Sequence, residues 1–138
     1  MHSTNYYDTF IEAADDCPVG EGVAPPQRGE KTVASVHYDV IANNPYRYTS
    51  DEVIFETYRH RNRISEEDLR AEKARFFSKG QACLRSSPLA KRYGWGIHHD
   101  SEGKVAIYPL GSDEYAAHAN DSALKHLKAM RSRREAAR

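Results

Sequence analysis

Residues 95–109 constrain the fold more tightly than any other stretch. Trp95-Gly96-Ile97-His98-His99 and Val105-Ala106-Ile107-Tyr108-Pro109 are short runs rich in β-branched and aromatic residues. Between them lies Asp100-Ser101-Glu102-Gly103-Lys104, which suits a tight turn with glycine at a left-handed position. The spacing predicts an antiparallel hairpin in which His99 faces Val105, His98 faces Ala106, Ile97 faces Ile107 and Gly96 faces Tyr108. Side chains alternate along a strand. Trp95, Ile97, His99, Val105 and Ile107 therefore share a core face, and Gly96, His98, Asp100, Lys104, Ala106 and Tyr108 share the other. On that second face the ring of Tyr108 is expected over the bare backbone of Gly96.

The remaining elements follow from periodicity and punctuation. Residues 6–13 alternate as a strand, with Asp8 and Glu12 on one face and Tyr7, Thr9 and Ile11 on the other. Phe10 falls among the charges, so that face should be half covered. Residues 14–31, rich in Asp, Gly and Pro, read as a long loop. Val33, Val36, His37, Val40 and Ile41 repeat with helical spacing behind Thr32, and Asn43-Asn44-Pro45 stops that helix. Thr49 to Glu52 has the spacing of a capping box, opening a helix to about Arg61. Ser65 with Asp68 opens a third helix, expected to reach Lys79. Ser87-Pro88 opens a short one closed by Gly94. Ser112-Asp113-Glu114-Tyr115 starts another, and residues 122–135, with a thin stripe of Leu124, Leu127 and Met130, read as a basic C-terminal helix. The expected architecture is α+β: a small antiparallel sheet of about three strands, including the 95–109 hairpin, with helices mainly on one face.

Composition narrows the class of protein. At 138 residues, with 39% hydrophobic and 29% charged residues, the chain reads as a single globular domain, 1–138. No apolar run reaches the ~20 residues that span a bilayer, and the first fifteen residues are polar and acidic rather than a secretion signal. A cytoplasmic location is the expectation, with Cys17 and Cys83 as free thiols. Net charge is zero, but residues 1–30 carry −5 and residues 121–138 carry +4. Such asymmetry fits either a nucleic-acid tail or mutual attraction of the two ends.

No segment matches a catalytic or cofactor motif. His98 is the leading functional candidate, with Asp100 two residues on and Tyr108 diagonally near, a set able to orient an imidazole. The alternative is a solvated strand histidine. Arg85, Lys91 and Arg92 beside Trp95 form a cationic set able to hold an anion or a flat ring, or ordinary surface charge. His98 and His99 point to opposite faces and Cys17 lies far from Cys83, so no metal site is expected, and no cofactor. The candidate ligand-binding set is Arg85, Arg92, Trp95, His98, Asp100 and Tyr108, and the catalytic residues stay open.

Four segments carry a resemblance. They are Met1-His2-x-Thr4-Asn5-Tyr6, Asp16-Cys17-Pro18, Asn43-Asn44-Pro45-Tyr46-x-Tyr48-Thr49-Ser50-Asp51, and Ser87-Pro88-Leu89-x-Lys91-Arg92-Tyr93-Gly94-Trp95-Gly96. Together the chain resembles a small family of bacterial and fungal proteins of unknown function. The likeness covers essentially the whole chain and implies one domain, with no activity to carry over. The reading at this point is a non-catalytic module for a small molecule or a protein partner. The alternatives are an enzyme using His98 with Asp100 or Tyr108, and nucleic-acid binding through the basic C-terminal helix, which lacks interleaved aromatics. A homodimer is compatible with the tyrosine-rich composition and open sheet edges.

Overall fold

The structure is a computed structural model describing residues 2–27 and 29–132. Among these residues it is an α+β fold of one four-stranded mixed sheet and five α-helices. The strands are β1 (Thr9–Glu12), β2 (Trp95–His99), β3 (Val105–Pro109) and β4 (Lys125–Lys128), in the order β3-β2-β1-β4. The hairpin pairs in the register read from the sequence, from Trp95 opposite Pro109 to His99 opposite Val105. Its turn holds Gly103 at φ 81°. The Asp100 carboxylate accepts hydrogen bonds from the amides of Glu102 (2.9 Å) and Lys104 (2.8 Å).

Three helices pack on the expected core face. Helix α1 (Val33–Ala42) and helix α2 (Ser50–Asn62) each open with a capping box, Thr32 with Ser35 and Thr49 with Glu52. Helix α4 (Pro88–Arg92) starts under the Ser87 hydroxyl. Together they bury Ile41, Val53 and Leu89 against Ile11, Ile97 and Val105 of the sheet. Each such side chain contributes about 2 kcal/mol relative to exposure. Helix α3 (Leu69–Phe76), preceded by a 3₁₀ turn at Glu66–Asp68, stops short of Lys79. Phe77 takes the C-cap position (φ −87°, ψ 4°), is fully buried and packs edge-on to Phe76 with ring centroids 4.9 Å apart. No helix among the described residues is long and apolar enough to cross a membrane.

The opposite sheet face is covered by α5 (Asp113–Ala119). Phe10, fully buried, meets Tyr115 edge-on at 5.1 Å and stacks on His118 at 5.4 Å. A Cβ at Gly96 would lie 2.3 Å from the Phe10 ring and 2.7 Å from that of Tyr115. The ring over Gly96 is therefore Phe10, flanked by Tyr115, and not Tyr108 as the cross-strand register suggested. The diagonal neighbour on β1 reaches that space first.

The C-terminal reading needs correction. Residues 125–128 form a strand rather than a helix, paired parallel with β1 from Thr9–Lys125 to Glu12–Lys128. The sheet is consequently mixed, with four strands instead of three. Without β4 one edge of β1 would be left unpaired, although Phe10 and Ile11 on it are fully buried. Leu127 and Ala129 alternate inward with period two, and that pairing outweighs the thin helical stripe. The lysines at either end suit an outer edge. Residues 133–135 of the expected helix lie outside the described residues.

Two buried histidines make the fold acid-sensitive. His99 is fully buried, and its ring nitrogens have no hydrogen-bond partner among the described residues. Burial pushes its pKa down to about 4, while the Ile97 and Thr9 backbone pulls the other way without meeting hydrogen-bond geometry. Burial also pushes His37 down to about 4. Histidines in the unfolded chain protonate from about 6.5 downward, so acid favours the unfolded chain. The stabilisation is complete above pH 6.5 and is lost as pH falls towards 4. At pH 5 each ring should cost about 2 kcal/mol. Urea midpoints measured from pH 7.5 to 4.5 should fall steadily below 6.5, and His99→Leu should reduce the slope. A flat profile in the wild type would contradict this account.

Candidate functional site

The structure divides the six candidate residues. Asp100 is occupied by the hairpin turn. Trp95 donates from its indole nitrogen to the Val23 carbonyl (2.8 Å) and meets Tyr38 edge-on, anchoring the 14–31 loop beside the core. Arg85 donates to the Lys128 carbonyl (3.0 Å) and accepts from Met130 N–H through its own carbonyl (2.9 Å), fastening the chain around β4. Arg92 is exposed at the end of α4, beside a cavity it shares with Asp16, Pro18 and Ser132. Only His98 and Tyr108 remain together.

Around that pair the fold assembles a cluster. The Tyr46 hydroxyl lies 2.7 Å from His98 Nδ1 and 2.7 Å from the Tyr108 hydroxyl. His118, on α5, sits against both, 4.4 Å between ring centroids from His98 and 4.6 Å from Tyr108, on which it stacks. Its Nδ1 is held by the Glu114 carbonyl at 2.8 Å. Tyr46 is placed by the chain between α1 and α2. Its backbone is left-handed (φ 59°), and its amide donates to the Val105 carbonyl at the β3 edge (2.9 Å). A non-glycine residue in that conformation costs of order 1–3 kcal/mol and is common where a side chain must be aimed.

Electrostatics keep His98 and Tyr46 uncharged. Burial lowers the pKa of His98, the neighbouring His118 lowers it further, and Asp100, Asp121 and Asp8 oppose both. Burial raises the pKa of Tyr46, and its hydrogen bond to Tyr108 raises it again. At neutral pH His98 and Tyr46 therefore present hydrogen-bonding groups rather than ions. His98 Nε2 has no partner among the described residues and reaches solvent. No group of three or more His, Cys, Asp or Glu able to hold a metal ion occurs among the described residues.

Sequence reasoning missed Tyr46 and His118. Tyr46 stands in the Asn-Pro-Tyr-x-Tyr segment singled out for the resemblance. A family of unknown function, DUF6157, matches residues 1–135, a range that includes this segment. The chain belongs to DUF6157. No curated protein and no solved structure matches it. In this DUF6157 chain, Asn44 donates to the Val40 carbonyl (2.9 Å), closing α1 so that Pro45 and Tyr46 turn back over the hairpin. His118 gave less to find. It lies three residues after Tyr115 on one helix face, a spacing that matters only once Phe10 is known to lie beneath.

The charged ends of this DUF6157 chain meet. Lys128 pairs with Asp15, Arg131 approaches Asp15 at 3.7 Å, and His126 lies 3.9 Å from Glu12. The hydrogen bond from Lys128 holds the Asp15 carboxyl below its ordinary value. Lys128 and Arg131 are thus already engaged by a carboxylate. Arg133, Arg134 and Arg138 lie outside the described residues.

The cluster electrostatics can be checked ring by ring. His118→Ala should raise the His98 pKa towards 6.5, by removing a neighbouring imidazole and admitting water. Asp100→Asn should lower it further, by removing an opposing charge while keeping an acceptor for the turn. Proton-detected nitrogen spectra across pH 4–8 measure both, and shifts of the opposite sign would contradict the assignment.

Proposed function

We propose that the protein is a non-catalytic binding module that receives a small planar ligand on the outer sheet face. The observation that carries this reading is His98. It is oriented by Tyr46 and held neutral, with a ring nitrogen that has no partner among the described residues and is open to solvent beside Tyr108 and His118. Tyr46 is a strong donor to Nδ1, and Tyr108 can donate to Tyr46 in turn. That arrangement leaves His98 Nε2–H to meet an acceptor on the ligand. The Tyr108 and His118 rings offer a stacking surface. Asp8, Asp100 and Asp121 act on His98 from nearby and favour a neutral or cationic ligand over an anion.

A thermal-shift screen of neutral and cationic heterocycles tests the proposal. A ligand at one hundred times its dissociation constant should stabilise the wild type by about 2.7 kcal/mol. The same ligand should lose most of that effect in His98→Ala and Tyr108→Leu. Hits that survive both substitutions unchanged would overturn the reading.

The Tyr108–Tyr46–His98 chain favours one second reading, general acid–base catalysis. Three groups linked at 2.7 Å can pass a proton to and from His98. The two readings separate at Tyr46→Phe. An enzyme would keep its ligand and lose turnover, whereas a binding module would show no turnover in either form.

A further inference from the structure

A second cavity, of about 460 Å³, opens between α1, α2 and the chain leading into α4. It lies on the other side of the sheet from the His98 cluster and shares no lining residue with it. Val33, Ile54, Ala82 and the ring of Tyr58 supply apolar wall. Its size falls in the range that accepts small organic ligands.

The polar lining is neutral or cationic: Thr57, Asn62, Gln81 and Ser86 stand beside His37, Ser87 and Arg61. His37 is buried to 5% exposure, and its Nδ1 lies 2.8 Å from the Ser87 hydroxyl. Ser87 Oγ already accepts from Leu89 N–H (3.3 Å), and no other acceptor for its hydrogen is found among the described residues. The hydroxyl therefore donates to His37 Nδ1. In the neutral ring the hydrogen then sits on Nε2. His37 Nε2 has no protein partner among the described residues and is not sealed off, so it opens on the cavity as a donor. Burial supports the neutral form, pushing the pKa of His37 down to about 4. At the rim, exposed Arg61 has no ion-pair partner among the described residues. No Asp or Glu lines the cavity.

We infer that this cavity is a binding site for a small organic carboxylate, its oxygens held by His37 Nε2–H and Arg61 and its apolar body by the Val33, Ile54 and Tyr58 walls. One cation, one buried donor and the absence of a competing carboxylate select an anion. The apolar wall selects a hydrocarbon body over inorganic phosphate or sulfate. The site is independent of the outer-face cluster, whose three aspartates disfavour the same ligand.

Benzoate titrated into the full-length, nitrogen-labelled protein tests the inference. Saturable shifts are expected at Arg61, Ala82 and the His37 ring, with affinity in the millimolar range or tighter. Arg61→Ala, at an exposed position, should weaken binding about tenfold. The neutral isostere benzamide should bind the wild type about tenfold more weakly than benzoate, or not at all. Ala82→Trp, which fills the cavity from an exposed position, should abolish the shifts. Absence of saturable shifts by about 20 mM benzoate, equal binding of benzamide, or unchanged binding in Ala82→Trp would each overturn it.

Discussion

Strand β1 must be paired along both edges, and the rest of the molecule is arranged by that requirement. Its four residues run through the middle of the sheet, with Phe10 and Ile11 fully buried on opposite faces. Unpaired backbone at that depth costs about as much as a lost buried hydrogen bond at each group. The β2–β3 hairpin satisfies one edge and β4 the other. Residues more than a hundred positions apart in sequence are thereby set side by side. Glu12 and Asp15 then face His126, Lys128 and Arg131. The charge asymmetry of the two ends is the electrostatic counterpart of the parallel pairing.

The outer face follows from the same strand. Phe10 occupies the space above Gly96, and Tyr115 and His118 close over Phe10. The helix that seals this apolar centre carries His118 to its margin, where the hairpin supplies His98 and Tyr108. Tyr46 arrives from a connection held to the opposite sheet edge. A histidine that is solvated on an isolated hairpin becomes, in this setting, a half-buried neutral ring with a fixed hydroxyl partner.

Local patterns were legible where local physics decides them. The hairpin register, the Thr32 cap, the Thr49–Glu52 capping box and the Ser87-Pro88 helix start are set by residues within a few positions of one another, and all are present. The failures are long-range. Residues 125–128 carry a weak helical stripe and a short alternating one, and only an unpaired partner a hundred residues earlier chooses between them. Asp100 looked like a partner for His98 because it is close in sequence, yet its carboxylate is spent on the turn. Tyr46 and His118 became neighbours of His98 through three separate elements, and no spacing in the sequence records that. Arg85 and Trp95 dispersed for a related reason: each fastens a different segment, β4 and the 14–31 loop, while Arg92 is left exposed at the end of α4.

Amide hydrogen exchange across residues 124–130 tests the account most directly. In a parallel edge strand, successive amides point alternately towards the partner and towards solvent. The amides of Lys125 and Ala129 donate to the carbonyls of Asp8 and Glu12, both at 2.8 Å. They should be strongly protected, while those of His126 and Lys128, facing the open edge, exchange fast. Uniform protection through the segment, as in a helix, or uniform fast exchange would contradict the doubly paired strand from which both faces of the molecule are derived.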